Sequence, residues 1–234
     1  MEGLNPNVPM EDSGAEWIGE IPAGWDVSPL KVLFSFGKGL PITKADLADN
    51  GVPVISYGQI HSKSNTPAHI DNSLIRFVPE SFMSANSASL TQQGDFLFAD
   101  TSEDVEGSGN FVYHDQAQDI FAGYHTLVLA PNNRRFGRYL SYLFQSDEWR
   151  SQIRSRVSGV KLYSLTQRIL GDVSTLLPPP PEQEAIADYL DAKTAEIDAL
   201  VADCEQEAEL LREYRRSLIS EAVTGKFKVP GVNA

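Results

Sequence analysis

The sequence predicts an α+β fold, a globular mixed domain followed by a long C-terminal coiled-coil helix. Three observations carry this. Short apolar or β-branched runs, each bounded by Gly, Asn or Pro, are grouped ahead of Pro131. Helical spacing sets in only after that point. A seven-residue apolar repeat then follows four consecutive prolines near the C-terminus.

Taken in order, residues 1–16 ("MEGLNPNVPMEDSGAE") carry little hydrophobicity and read as a flexible N-terminal arm. Residues 17–177 form the globular domain. Within it, "VPVISY", "GDFLFAD", "NFVYH" and "YHTLVLAP" read as strands, because their apolar content is short-range and interrupted by turn residues. Between "LAPNN" and "VSGVK", Tyr139, Leu140, Leu143 and Phe144 recur at three- and four-residue steps and predict a helix. A shorter helix is expected over "SLTQRILGDV", with Ser164 or Thr166 as its N-cap. Grouped strands followed by helices make the domain α+β and not an alternating α/β fold.

Residues 178–181 are a proline hinge. Each ring locks φ near about −65° and removes a backbone donor, so the run is extended, while the last proline suits the first turn of a helix. Glu182 and Glu184 then place negative charge at the positive end of the helix dipole. The helix is expected over 182–224, roughly 65 Å at ~1.5 Å per residue, with a tail at 225–234. Leu190, Ile197, Cys204, Leu211 and Leu218 recur every seventh residue as position a. Position d reads Ile186, Lys193, Leu200, Glu207, Tyr214 and Glu221. The expected pairing surface is therefore Ile186, Leu190, Ile197, Leu200, Cys204, Leu211, Tyr214 and Leu218. Half the d positions are polar, so the seam is not self-sufficient and needs a second copy or another protein. The alternative is a helix folded back over the first domain.

Composition removes several classes. With 41% hydrophobic and 22% charged residues over 234 positions, the chain is of ordinary globular type. No apolar run reaches the ~18 residues of a membrane span, and the N-terminus lacks a signal-peptide core, so a cytoplasmic location and no membrane partner are expected. A single cysteine, Cys204, excludes an internal disulfide. Catalytic signatures are missing. "GKGLPIT" lacks phosphate-loop spacing, and "SPLK" is a Ser-x-x-Lys without its companion motifs. His61, His69, His114 and His125 are scattered, and "DTSEDVEG" lacks calcium-loop spacing, which predicts no metal and no cofactor. "LPPPPE" lacks the aromatic with which an amino-methyltransferase stacks a flipped base. The reading is a non-catalytic binding protein.

The formal charge of −13 argues against a protein that simply coats DNA. Residues 134–168 are locally different: Arg134, Arg135, Arg138, Arg150, Arg154, Arg156, Lys161 and Arg168 stand against Asp147 and Glu148, eight cations to two acids, a balance of +6. With Tyr139, Tyr142, Trp149 and Tyr163 interleaved, this stretch is either a phosphate-binding strip or a solvated helix face.

Five segments carry a resemblance: "WIGEIPAGWDVSPLKVLFSF", "GDFLFADTSEDVEGSG", "FAGYHTLVLAP", "VSGVKLYSLTQRIL" and "LLPPPPEQEAIADYLDAKTAEIDAL". In this order they resemble the signatures of Type I restriction-modification specificity subunits over nearly the whole chain. The last, a Pro-Pro-x-x-Glu-Gln-x-x-Ile pattern leading into Leu190 and Asp191, is the most specific. The resemblance implies a target-recognition domain at 17–177 and a spacer helix after it. Members of that family usually carry two of each, so the chain looks like a half-subunit. It implies double-stranded DNA, a second copy paired antiparallel, and DNA methyltransferase (modification) subunits as partners, and it admits a restriction/translocase subunit.

Base and phosphate contacts are then expected on loops rich in hydrogen-bonding side chains. The candidates are Lys38 and Lys44 in "GKGLPITK", Tyr57, Gln59, His61 and Lys63 in "SYGQIHSK", and Ser102 in the acidic turn. Arg154, Arg156, Lys161 and Tyr163 join them from the basic strip. Each has a structural alternative, such as a core role for Tyr57 or a surface-charge role for Lys44. Two other functions compete: a coiled-coil adaptor whose α+β domain binds protein, and a decoy that titrates methyltransferase without reading DNA.

Overall fold

The structure, a computed structural model, describes residues 8–226 and 230–231. The chain divides after Ala187 into two units.

The first unit opens with a small ladder, β1 (Met10–Asp12) against β2 (Glu20–Pro22), with Glu11 opposite Ile21. Pairing to the buried Ile21 strand removes residues 10–12 from the expected flexible arm. Residues 1–7 lie outside the described residues. Next, β3 (Asp26–Pro29) runs antiparallel to β14 (Ser174–Leu177), which joins the beginning of the domain to its end. One helical turn, α1 (Leu30–Leu33), follows and is anchored by the Leu30 amide donating to Val173 O at 3.0 Å.

Two four-stranded sheets make the body. In the first, β4 (Phe34–Lys38), β8 (Phe96–Ala99), β10 (Phe111–Tyr113) and β12 (Thr126–Pro131) are antiparallel in the order β10-β8-β12-β4. In the second, β5 (Val52–Ile55), β6 (Arg76–Val78), β7 (Leu90–Thr91) and β11 (Ile120–Ala122) lie in the order β6-β5-β11-β7, with β5 and β11 parallel. Two single turns, α2 (Tyr57–Ile60) and α3 (Phe82–Ala85), sit in the connections. A further short ladder pairs β9 (Thr101–Ser102) with β13 (Tyr163–Ser164).

Alternation along β8 explains the layering. Successive side chains of a strand point to opposite faces. Phe96 and Phe98 join an aromatic cluster with Phe34, Phe111, Phe144 and Trp149, whereas Leu97 and Ala99 pack with Val112, Val128, Ile55 and Ile120 between the sheets. The Phe144 and Trp149 rings lie with centroids 4.3 Å apart, tilted by 30°. The outer face of the second sheet, Val54, Val78 and Phe121, is covered by Leu40 and Ile42. Gly39, which leads into that cover, has no room for a side chain, since a Cβ there would lie 1.8 Å from Gly123 O.

The predicted helix after Pro131 is two. α4 (Gly137–Leu143) ends before Phe144, and α5 (Asp147–Arg154) restarts with Ser146 as N-cap, its side chain accepting from the Trp149 amide. The break lets Phe144 and Trp149 both enter the aromatic cluster. α6 (Gln167–Gly171) is capped by Thr166, one of the two expected caps. α7 (Pro180–Val223) begins two residues ahead of the expected start, because Pro180 and Pro181 occupy its first turn, where no intrahelical donor is needed. That turn is tied to the domain by Trp25 Nε1 donating to Glu182 at 2.9 Å and by Gln183 donating to Pro178 O at 2.7 Å. Ile186, expected on the pairing surface, instead packs against the domain's own aromatic core, with Ala187 buried beside it.

The second unit continues α7 as a helix whose ion pairs are local, such as Lys193 with Glu196 at 2.8 Å and Arg212 with Glu209 at 3.2 Å. Ile197, Leu200, Leu211, Tyr214 and Cys204 are exposed on it. Among the described residues no helix is long and apolar enough to cross a membrane.

Candidate nucleic-acid interface

One open cleft of about 490 Å³ lies in the first unit, where the ends of β4, β8 and β12 meet the β9–β13 ladder. Lys38 at the end of β4, Asp100 and Thr101 after β8, His125 ahead of β12, and the segment Ser164–Arg168 line it. Four distant stretches of sequence thus meet because β4 and β8 flank β12, and because β13 docks on β9. α6 is fastened to β4 by Gln167 Nε2 donating to Gly37 O at 2.9 Å. Leu165 N donates to Asp100 O at 2.8 Å and holds the other wall.

Of the residues expected at the DNA surface, Lys38 lines this cleft and Tyr57 borders it, its ring 5.4 Å from that of His125 and 6.2 Å from that of His61. Tyr163 is half-buried opposite Ser102 in the ladder. Lys161 is exposed in the loop leading into β13, and Lys44 and Lys63 are exposed elsewhere. Lys44 opens a short turn closed by Asp46, whose carboxylate accepts from the Thr43 amide at 2.7 Å.

Others are occupied internally. His61 Nε2 faces Thr101 O at 2.8 Å, and since a carbonyl only accepts, that nitrogen carries the proton. Its Nδ1 then accepts from Asn110 at 2.9 Å, and the Asn110 carbonyl oxygen accepts from Arg150. Neither ring nitrogen is left for a base edge. Gln59 caps its own turn by accepting from the Ser56 amide at 3.0 Å. Ser102 is buried under the acidic loop, where a Cβ on Gly107 would lie 2.4 Å from its hydroxyl. Arg154, with a side chain only 17% exposed, pairs with Asp147 at 2.9 Å and Glu106 at 3.4 Å. Arg156 donates to Asp172 O at 3.0 Å.

The basic strip is therefore largely answered across space. Arg150 reaches over to the carbonyls of Glu106 and Ser108 at 2.9 and 3.4 Å, and Arg134 pairs with Asp95 at 2.8 Å. Burial is the main cause that lowers the Arg150 pKa, with Arg154 adding to it. Among the described residues, Lys38, Lys44, Lys63, Lys161 and Arg168 form no ion pair, and two of these five, Lys38 and Arg168, share the cleft. The sequence reading missed His125, Asp100 and Gln167 as site residues. Nothing in "AGYHTL" marks His125, whose one distinguishing feature is a left-handed backbone, φ 54°. Among the described residues no group of three His, Cys, Asp or Glu could hold a metal ion.

Compared with known families, residues 22–210 match the Type I restriction modification DNA specificity domain. The chain belongs to that family. This specificity-domain chain is 24% identical to the Type I restriction enzyme EcoKI specificity subunit of Escherichia coli K12, over 89% of its own length and 44% of that protein's. Its fold is similar to a structure of a type I R-M system, with a TM-score of 0.60 and 22% identity. It is similar also to the HsdS subunit from Thermoanaerobacter tengcongensis, with a TM-score of 0.55 and 21% identity. It covers 94% and 93% of itself but only 49% and 48% of those chains. The specificity-domain chain thus spans about half the length of the relatives it matches.

Proposed function

We propose that this chain is the non-catalytic, sequence-specific DNA-recognition subunit of a Type I restriction-modification complex, acting as a half-subunit. Its first unit reads one half of a bipartite site in duplex DNA, with the cleft between Lys38 and Arg168 in contact with the backbone. Two copies pair through α7, which sets two identical domains on inverted half-sites. DNA methyltransferase subunits complete the complex, with a restriction/translocase subunit as a further partner. The observation that carries this reading is the family match running from Pro22 through the recognition domain and along the helix to Leu210, over a cleft lined by two cations without ion pairs, Lys38 and Arg168. A cleft formed at strand ends, with no catalytic cluster among the residues that line it, suits recognition.

The test is a gel-shift measurement with random-sequence duplex, alone and with methyltransferase subunits, followed by methylation mapping of the complex. Duplex binding and an inverted, two-part methylated motif support the reading. Methyltransferase binding without duplex binding would identify a decoy. Neither would leave a protein adaptor.

A further inference from the structure

His125 is built into the cleft in a way no other described histidine is. Among the described residues it alone, apart from glycines, has a positive φ, at 54°. Such a backbone is sterically unfavourable for a side-chain-bearing residue, and persists where the surroundings over-determine it. Here they do. The Asp100 amide donates to His125 O at 3.1 Å, and the Asp100 carboxylate meets His125 Nδ1 at 3.1 Å, so one residue grips both backbone and ring. Thr101 Oγ1 donates to the same carboxylate oxygen at 2.7 Å and fixes its rotamer. Tyr57 and Tyr124 pack edge-on against the imidazole at 5.4 and 6.2 Å. The ring nevertheless remains more than half exposed, at 59%.

This geometry decides what the free nitrogen can do. An ionised carboxylate only accepts, so Nδ1 must donate, and in its neutral form the ring presents a lone pair at Nε2. In the major groove the donors a lone pair can meet are the exocyclic amines of adenine and cytosine, whereas guanine O6 and thymine O4 are acceptors and repel it. We infer that His125, oriented by Asp100, is a specificity-determining residue that accepts a hydrogen bond from an adenine or cytosine amine at one base pair of the target. Asp100 is a positioning residue: it touches no base and fixes the tautomer. The inference rests on the DNA-recognition reading and names a contact within it.

Enrichment from a randomised duplex library, selected on the full chain, tests it. His125→Gly is the informative variant, because glycine adopts φ 54° without strain and the fold is preserved. The expected result is a motif in which one position loses about a two- to ten-fold preference for adenine or cytosine while the others persist, the size of one net hydrogen bond. Asp100→Leu, of similar size and with nothing to donate or accept, frees both tautomers and should admit guanine or thymine at that same position. A parental motif that His125→Gly leaves unaltered overturns the inference and leaves DNA recognition standing. Unchanged preference in Asp100→Leu refutes the tautomer argument. A parent chain that enriches no motif overturns both readings together.

Discussion

Pairing through α7 is open to a quantitative test at Ile197 and Leu211. In the isolated chain these side chains are 57% and 60% exposed, and Leu200 between them is 64% exposed. Full burial of such a residue is worth about 1.5–3 kcal/mol, so each has about 1–2 kcal/mol still to gain from a partner. Three sites on each of two copies offer about 6–12 kcal/mol, against about 4–15 kcal/mol for the lost freedom of association. The balance is close enough for two substitutions to decide it. The double change Ile197→Asp and Leu211→Asp deletes most of the gain and adds buried carboxylates, each costing several kcal/mol. At ~1.4 kcal/mol per decade, the dissociation constant should rise more than about 100-fold. The single chain should barely notice, because both positions face solvent and surface changes stay within about 0.5 kcal/mol. Sedimentation velocity across a concentration series, beside a denaturant melt of the same samples, measures both quantities. An unchanged oligomer with unchanged stability refutes pairing along this seam.

Three further outcomes are expected. Replacing Lys38 and Arg168 by Ala should flatten the slope of log affinity against log salt by about 0.9 per lost phosphate contact, while Arg154→Ala should leave that slope alone and lower stability, because its partners are Asp147 and Glu106; equal slopes for all variants would remove the cleft from the interface. Trp149→Ala, deleting a fully buried ring packed on Phe144, should cost about 3–5 kcal/mol in denaturant unfolding, and a change below about 1 kcal/mol would contradict the assigned aromatic core. Burial lowers the pKa of His114 from its ordinary 6.5, outweighing Asp95, Asp115 and Asp119, so the native state holds it neutral and the stability present above that value is lost as pH falls below it; the drop in denaturant midpoint from pH 7.5 to 5.5 should be smaller in His114→Gln, and an equal drop would place the titrating group elsewhere.

What the sequence determined by itself was whatever depends on near neighbours. Alternation in "GDFLFAD" marks a strand, since Phe96 and Phe98 share one face whatever lies above them. Thr166 ahead of "QRIL" marks a helix start, because capping is satisfied three residues on. The recurrence from Leu190 to Leu218 marks an apolar seam for the same reason, and proline at a first turn is permitted by its own geometry. Even here packing adjusted the outcome. The helix read through Phe144 is broken there so that Phe144 and Trp149 can both reach the strands, and Ile186, in register with the seam, is claimed by the domain core.

Only the tertiary structure decided which charges are available. Arg150 and Arg154 look like a phosphate strip in one dimension, yet the acidic loop more than forty residues upstream comes back across the fold and occupies them. His61 and His125 look alike in sequence; one has both nitrogens engaged by Thr101 and Asn110, while the other keeps one free beside Asp100. Lys38 and Arg168 stand 130 positions apart and meet because β4 lies beside β12, β12 beside β8, and Gln167 donates to Gly37. The physical reason is one of range. Strand alternation, caps and heptads are set by bonds within a few residues, whereas the state of an ionisable side chain depends on whichever distant segment closes over it.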